Sequence, residues 1–319
     1  GNPTLLNITM YAMLAVFVMI QIAICWRIFQ YVNGIEYTGA TASFLGMTYY
    51  TGITGAQLVG AVVSSGIFAG IGIIYGHELA HTKGFSFLIA RWMMALSGSA
   101  HFCYAHVYNH HLELGCQDDP ATAPRGRSLY AHLPKSYFGQ SKFLFNMEKQ
   151  RLKRLGVPFL SWQNRWIRGY AMSLPTIALF WYAGAWTGLA CMALIWLISN
   201  FELEALNYLE HYGLIRETGS PIDYRHSWDN STLFTSWFFI EIGRQADHHD
   251  RGETHFWELD EVGAPNCGNG YFTLFALALV PPLFHKYMNK QLAKWDDEEA
   301  SEGELKIASD MNKIAGYTG

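Results

Sequence analysis

Charge is scarce in this chain. Only 15% of its 319 residues are Asp, Glu, Lys or Arg. The scarcity is uneven, with no charged residue from Gly1 to Trp26, Tyr37 to His77, Gly169 to Phe201 or Val262 to His285. Uncharged apolar runs of eighteen residues or more read as membrane spans, so an ordinary soluble domain is excluded. The five cysteines (Cys25, Cys103, Cys116, Cys191, Cys267) stand singly with no C-x-x-C pair, which argues against an iron–sulfur centre in this chain. No basic patch is interleaved with aromatics, so nucleic-acid binding is excluded as a role. No signal peptide is recognisable: the first apolar run is too long and has no basic residues ahead of it. No repeat with a period of twenty to fifty residues is apparent.

The expected fold class is an all-α membrane protein, a helical bundle of at least four transmembrane helices in one membrane-embedded domain. The spans fall near residues 5–26, 51–76, 164–184 and 185–206, the last two forming a hairpin turned at Ala183-Gly-Ala-Trp-Thr-Gly188. Phe85–Tyr104 carries Arg91 and His101 and reads as a helix lying at the membrane boundary, because charge at bilayer depth is costly. Tyr271–Phe284 is short and contains Pro281-Pro282, so an interfacial or re-entrant piece is expected. The polar loop over 120–165 is rich in Lys and Arg and places that side of the membrane in the cytoplasm. It is also a candidate docking face for an acidic redox protein. The charged tail, 286–319, is expected to pack outside the lipid.

Histidine is abundant where charge is not. Of thirteen histidines, eight fall in four places: His77-Glu-Leu-Ala-His81, His106-Val-Tyr-Asn-His110-His111, Asn207-Tyr-Leu-Glu-His211-Tyr-Gly213 and Gln245-Ala-Asp-His248-His249. Helical positions i and i+4 share a face, which would point His77 with His81 and His106 with His110, with His111 offset. Neutral imidazole is the commonest protein metal ligand. Eight exceed what one four-coordinate ion takes and suit two metal ions with open positions; imidazole alone does not choose between Fe, Zn, Cu and Ni. Parity requires every cluster on one side of the membrane, the cytoplasmic one.

His226 is a candidate ninth ligand or a group orienting one. Metal-bound imidazoles usually donate their other N–H to a carboxylate or carbonyl, and Glu78, Glu113, Asp118, Asp119, Glu210 and Asp247 lie near enough in sequence to serve. His101, His132, His255 and His285 read as ordinary core or boundary residues.

The four histidine segments, with Asp119-Pro-Ala-Thr122 and His226-Ser-Trp228, resemble the boxes of the integral-membrane alkane hydroxylase and xylene monooxygenase family, which is related to membrane fatty acid desaturases. The specific box is Asn-Tyr-x-Glu-His-Tyr-Gly. The resemblance implies a non-haem di-iron monooxygenase that hydroxylates a terminal or benzylic methyl carbon of an alkane or alkylbenzene with O2. It implies His77, His81, His106, His110, His111, His211, His248 and His249 as iron ligands, and six spans, with two helices ahead of Gly1. The electron donor would be rubredoxin or a ferredoxin-type iron–sulfur protein with an NAD(P)H reductase, at the bacterial inner membrane. Gln245 stands where the family has a histidine, and its side-chain oxygen is a candidate weak ligand. A desaturase using the same metals is the alternative. A membrane metal-binding or metal-transport protein is the rival of another class, but it needs polar residues along the spans, and these are sparse.

Overall fold

The computed structural model describes residues 2–44 and 46–316. Three helices among the described residues are long and apolar enough to cross a membrane: α1 (Pro3–Val32), α2 (Gly55–Ala80) and the stretch of Arg165–His211. That third stretch comprises α7 (Arg165–Ala171) and α8 (Leu174–His211). Capping fixes the starts of the first two. The Asn2 side chain accepts the Thr4 and Leu5 amides ahead of Pro3, and Thr54 and Gln57 form a capping box at the start of α2. A short hairpin, β1 (Thr41–Phe44) with β2 (Met47–Tyr50), fills the connection between α1 and α2.

Helix α8 is not straight. At Gly184 and Ala185 the backbone leaves helical geometry, with Ala185 at φ 47°. The chain then turns back on itself. An ideal Cβ on Gly188 would stand only 1.9 Å from the Phe180 carbonyl oxygen, eight residues earlier, whereas in a continuous helix those positions lie about two turns apart. Distant partners agree with the reversal: Ser173 Oγ donates to Ala95 O (2.8 Å), Trp196 Nε1 to Leu96 O (2.8 Å) and Asn200 Nδ2 to Ser97 O (2.8 Å). Residues 173 and 196–200 therefore lie at one depth, on antiparallel limbs.

The helix α3 (Gly84–Leu96) corrects the expectation of a piece lying along the boundary. Tyr11 bonds Ser86 (2.7 Å) and Gln21 Nε2 donates to Leu96 O (3.0 Å), so α3 runs beside α1 and descends between the apolar limbs. Arg91 and His101 are tolerated there because aromatic rings cover them. Arg91 stacks 5.5 Å over Tyr104, and His101 packs 4.7 Å from Tyr137.

The chain climbs back through α4 (Phe102–Ala105), a widened turn over His106–His110 and α5 (His111–Glu113). Outside the limbs lie α6 (Leu129–Arg154), α9 (Leu233–Phe238), α10 (Gln245–Asp250), α11 (Tyr271–Ala278), α12 (Pro281–Glu298) and α13 (Glu302–Ala315). The largest apolar core joins the end of α8 (Tyr208, Leu209, Tyr212) to α11 and α12 (Leu274, Phe284, Trp295). This clamps the chain's last third over the ends of α2 and α8, where the histidines are.

Candidate metal centre

Each histidine cluster reaches one place by a different route. His77 lies in the last turn of α2 and His81 just past its end. His211 is the last residue of α8, and His248 and His249 lie on α10. The middle cluster sits in the widened turn, where the His111 amide reaches back five residues to the His106 carbonyl. Such one-residue expansions of a helix recur at functional sites. This one changes the expected facing: His106 and His110 diverge into different groups, and His111 swings beneath His106.

Two groups result. Ring nitrogens of His77, His81, His106 and His248 lie within 4.8 Å of one another, and so do those of His110, His211 and His249. His106 Nε2 stands 2.8 Å from Nε2 of His77 and 3.1 Å from Nε2 of both His81 and His111. One ring nitrogen cannot serve three such partners by hydrogen bonding, since it carries at most one proton. His111 also bridges toward the second group, its ring centroid 4.3 Å from that of His249.

The second observation is what these nitrogens lack. His110 Nε2, both nitrogens of His211, His248 Nε2 and both nitrogens of His249 are buried with no hydrogen-bond partner among the described residues. Buried polar atoms are nearly always satisfied. Orphaned lone pairs converging from several chain segments fit a cation. Burial keeps His106, His111 and His249 well below the ordinary imidazole pKa, and the surrounding imidazoles add to the effect. Burial together with His110 brings His248 down to about 4. All four are thus neutral, the ligating form, at physiological pH.

The carboxylates divide sharply. Asp119 is in place: His110 Nδ1 donates to its Oδ2 (2.7 Å), as does Thr122 Oγ1 (2.6 Å), and the Ala121 amide donates to Oδ1 (3.0 Å). Burial alone would raise the Asp119 pKa, but His110 and the other donors outweigh it and hold the group at about 2. His110 is thereby fixed with Nε2 free. The remaining five hold no hydrogen bond to the eight imidazoles among the described residues. Glu78 accepts the Phe256 amide (3.1 Å), and Asp247 binds Arg251 and accepts the Asp260 amide (2.7 Å). Glu210 lies beside Gln245 and Tyr271. Asp118 is exposed, and Glu113 stays at the rim.

Two possible additional ligands bond elsewhere in this structure. His226 is spent elsewhere: the Asp223 amide donates to its Nδ1 (2.9 Å), so Nε2 carries the proton and donates to Glu304 Oε1 (2.8 Å). It ties α13 to the body of the protein. Gln245 donates its amide to the Ile242 carbonyl (2.8 Å) and keeps its side chain beside Glu210, a structural use of the position. Of the four ordinary histidines, His255 stacks on Trp257 (4.4 Å) and His285 on Tyr212 (5.8 Å). His132 is wholly buried near Tyr208 (5.5 Å). Sequence reasoning missed Glu202 and Glu204. Their signal was present, two acids directly following an uncharged span.

The fold and site define a helical membrane protein with two converging groups of histidines, suited to holding metal, at the ends of its apolar limbs. The chain belongs to the fatty acid desaturase family, whose pattern matches residues 54–277, on its alkane hydroxylase and xylene monooxygenase branch. It is 29% identical to an alkane 1-monooxygenase of Acinetobacter baylyi, over 86% of this chain and 72% of that protein. It is 32% identical to alkane 1-monooxygenase 2 of Alcanivorax borkumensis, over 77% of this chain and 65% of that protein. With the xylene/toluene monooxygenase hydroxylase component of Pseudomonas putida the identity is 30%, over 82% and 72%.

Proposed function

We propose that the chain is a membrane-bound monooxygenase that hydroxylates a methyl carbon of an apolar hydrocarbon, the methyl being terminal on an alkane or benzylic on an alkylbenzene. The observation that carries this reading is the paired grouping of imidazoles at the membrane end of α2 and α8. The reaction balances as R–CH3 + O2 + 2e⁻ + 2H⁺ → R–CH2OH + H2O. Side chains alone cannot cleave an unactivated C–H bond; two bound iron ions would supply the O2 chemistry. His77, His81, His106 and His248 would hold one, and His110, His211 and His249 the other, with His111 between them. Asp119 orients His110, and the apolar limbs exclude water from the site. No role falls to Glu113 or Asp118 in this scheme.

The electrons come from a separate iron–sulfur or rubredoxin-type donor reduced through NAD(P)H. A surface for it is available on α6. Arg151 and Arg165 are committed to Glu148, and Arg125 to Asp296, but Lys135, Lys142, Lys149, Lys153 and Arg154 are exposed. Their charge supports a cytoplasmic placement of this side of an inner membrane. The family relationship favours one second reading, desaturation, which uses the same elements to remove two hydrogens. Turnover of the iron-loaded protein with a reconstituted donor and isotopically labelled O2 separates the two. Labelled alcohol supports hydroxylation, and an unlabelled alkene overturns it.

A further inference from the structure

A cavity of about 120 Å³ lies between α2, α8 and α11, walled by Ile67, Ile74, Leu206, Phe239 and Phe275 among other residues. Two features give it a direction. At one end Ile67 and Phe272 are 44% and 45% exposed, so the cavity opens there at an apolar surface. At the other, Ile74 is shared with a small cavity walled by His77 and His248. Its lining is aliphatic and aromatic with one acid, Glu202, and no Lys, Arg or His among the described lining residues. The acid has been given room. A Cβ on Gly70 would stand 1.8 Å from Glu202 Oε2, so the carboxyl fills the space that a side chain at 70 would take.

An ionisable group at membrane depth is costly and marks function by default, and a polar group in an apolar cavity costs free energy until a partner arrives. A cavity serving plain hydrocarbons would be better lined by leucine at this position. We propose that Glu202 is a specificity-determining residue that hydrogen-bonds a hydroxyl group on the substrate, making the substrate class a medium-chain hydrocarbon hydroxylated at the end remote from the metal centre. Gly70 and His77 are seven residues apart on α2, about 10.5 Å along the axis. An extended chain advances about 3.6 Å per three bonds, so roughly nine bonds separate the anchored hydroxyl from the carbon presented to the histidines. Carboxylate-terminated chains are disfavoured, because they bring a second acid to the first.

The inference rests on the hydroxylase reading for the fate of the far methyl, but its test reads binding. Calorimetric titration of the metal-loaded, detergent-solubilised full chain with micellar decane, decanol and decanoate gives the order of affinities. Decanol is expected to bind at least tenfold more tightly than decane, about 1.4 kcal/mol, with decanoate weakest. Glu202→Leu should abolish the decanol–decane difference. The near-isosteric Glu202→Gln should keep it while relieving the penalty on decanoate, which a merely space-filling role would not do. Equal binding of decanol and decane by the parent chain, or a difference unchanged in Glu202→Leu, overturns the proposal. Product analysis on the same three compounds is kept separate. Selective binding without any alcohol formed would sink the hydroxylase reading alone, whereas hydroxylation without selectivity would sink this one alone.

Discussion

His110 Nδ1 and Asp119 Oδ2 are 2.7 Å apart, both side chains buried, with Thr122 and the Ala121 amide completing the carboxylate's donors. The pair fixes which nitrogen of His110 faces His211 and His249. Asp119→Asn removes the negative acceptor and frees the ring to adopt the other tautomer. Loss of such an outer partner typically weakens metal affinity about 10–100-fold. Competition with a chelator, followed by metal analysis, should show a loss in that range for one of two bound ions and a smaller effect on the other.

Gln245 makes the opposite prediction. Its amide holds the Ile242 carbonyl and its side chain neighbours Glu210. Gln245→Ala should therefore leave the metal-to-chain ratio unchanged while costing about 1–3 kcal/mol of stability, the usual penalty for an orphaned buried group. A lower melting temperature with full metal content is the expected result. A halved metal content would instead make Gln245 a ligand.

The pH dependence of the tail follows from Glu304. Burial would raise its pKa, but hydrogen bonds from His226, the Ser301 amide and Arg225 bring it down to about 2. A carboxylate depressed in the folded state stabilises fully above its ordinary value, near 4.5, and that contribution is lost as pH falls toward about 2. Helix α13 should stay docked at neutral pH and loosen progressively below about 4.5. Glu304→Ala should loosen it at all pH values without loss of metal. Hydrogen exchange across residues 302–315 reads both.

The reversal in α8 depends on Gly188. A side chain there would collide with the Phe180 carbonyl at 1.9 Å, backbone that cannot step aside. Gly188→Val should splay the limbs and lower stability by at least the ~1–3 kcal/mol of an overpacked core site, seen as a drop in melting temperature in detergent. Gly156→Ala, where a Cβ meets no atom within 4 Å but φ is +66°, should cost less, about 1 kcal/mol of backbone strain.

Much of this was legible in the residues. Uncharged runs mark the apolar limbs because lipid tolerates no stray charge, and the histidines stand out because nothing else polar accompanies them. Their division into two groups was not legible. It depends on one extra residue in the turn at His106–His110, and a periodicity of 3.6 assumes that no such residue exists. The path of α3 was hidden for a related reason. Arg91 and His101 argued against depth, but Tyr104 and Tyr137 cover them, and those pairings exist only in the folded chain. His226 resembled a ligand by type and neighbourhood, yet its partner, Glu304, lies 78 residues away, beyond any local pattern. The same limit applies to the carboxylates: sequence proximity named six, and among the described residues Asp119 alone of these bonds one of the eight imidazoles.

The most direct test of the account is the iron content of the purified, reconstituted chain, measured alongside His77→Ala and His211→Ala. Two irons per parent chain are expected, with selective loss of a different one in each variant, distinguishable by Mössbauer spectroscopy. A parent chain that binds a single iron, or variants that both retain two, would contradict it.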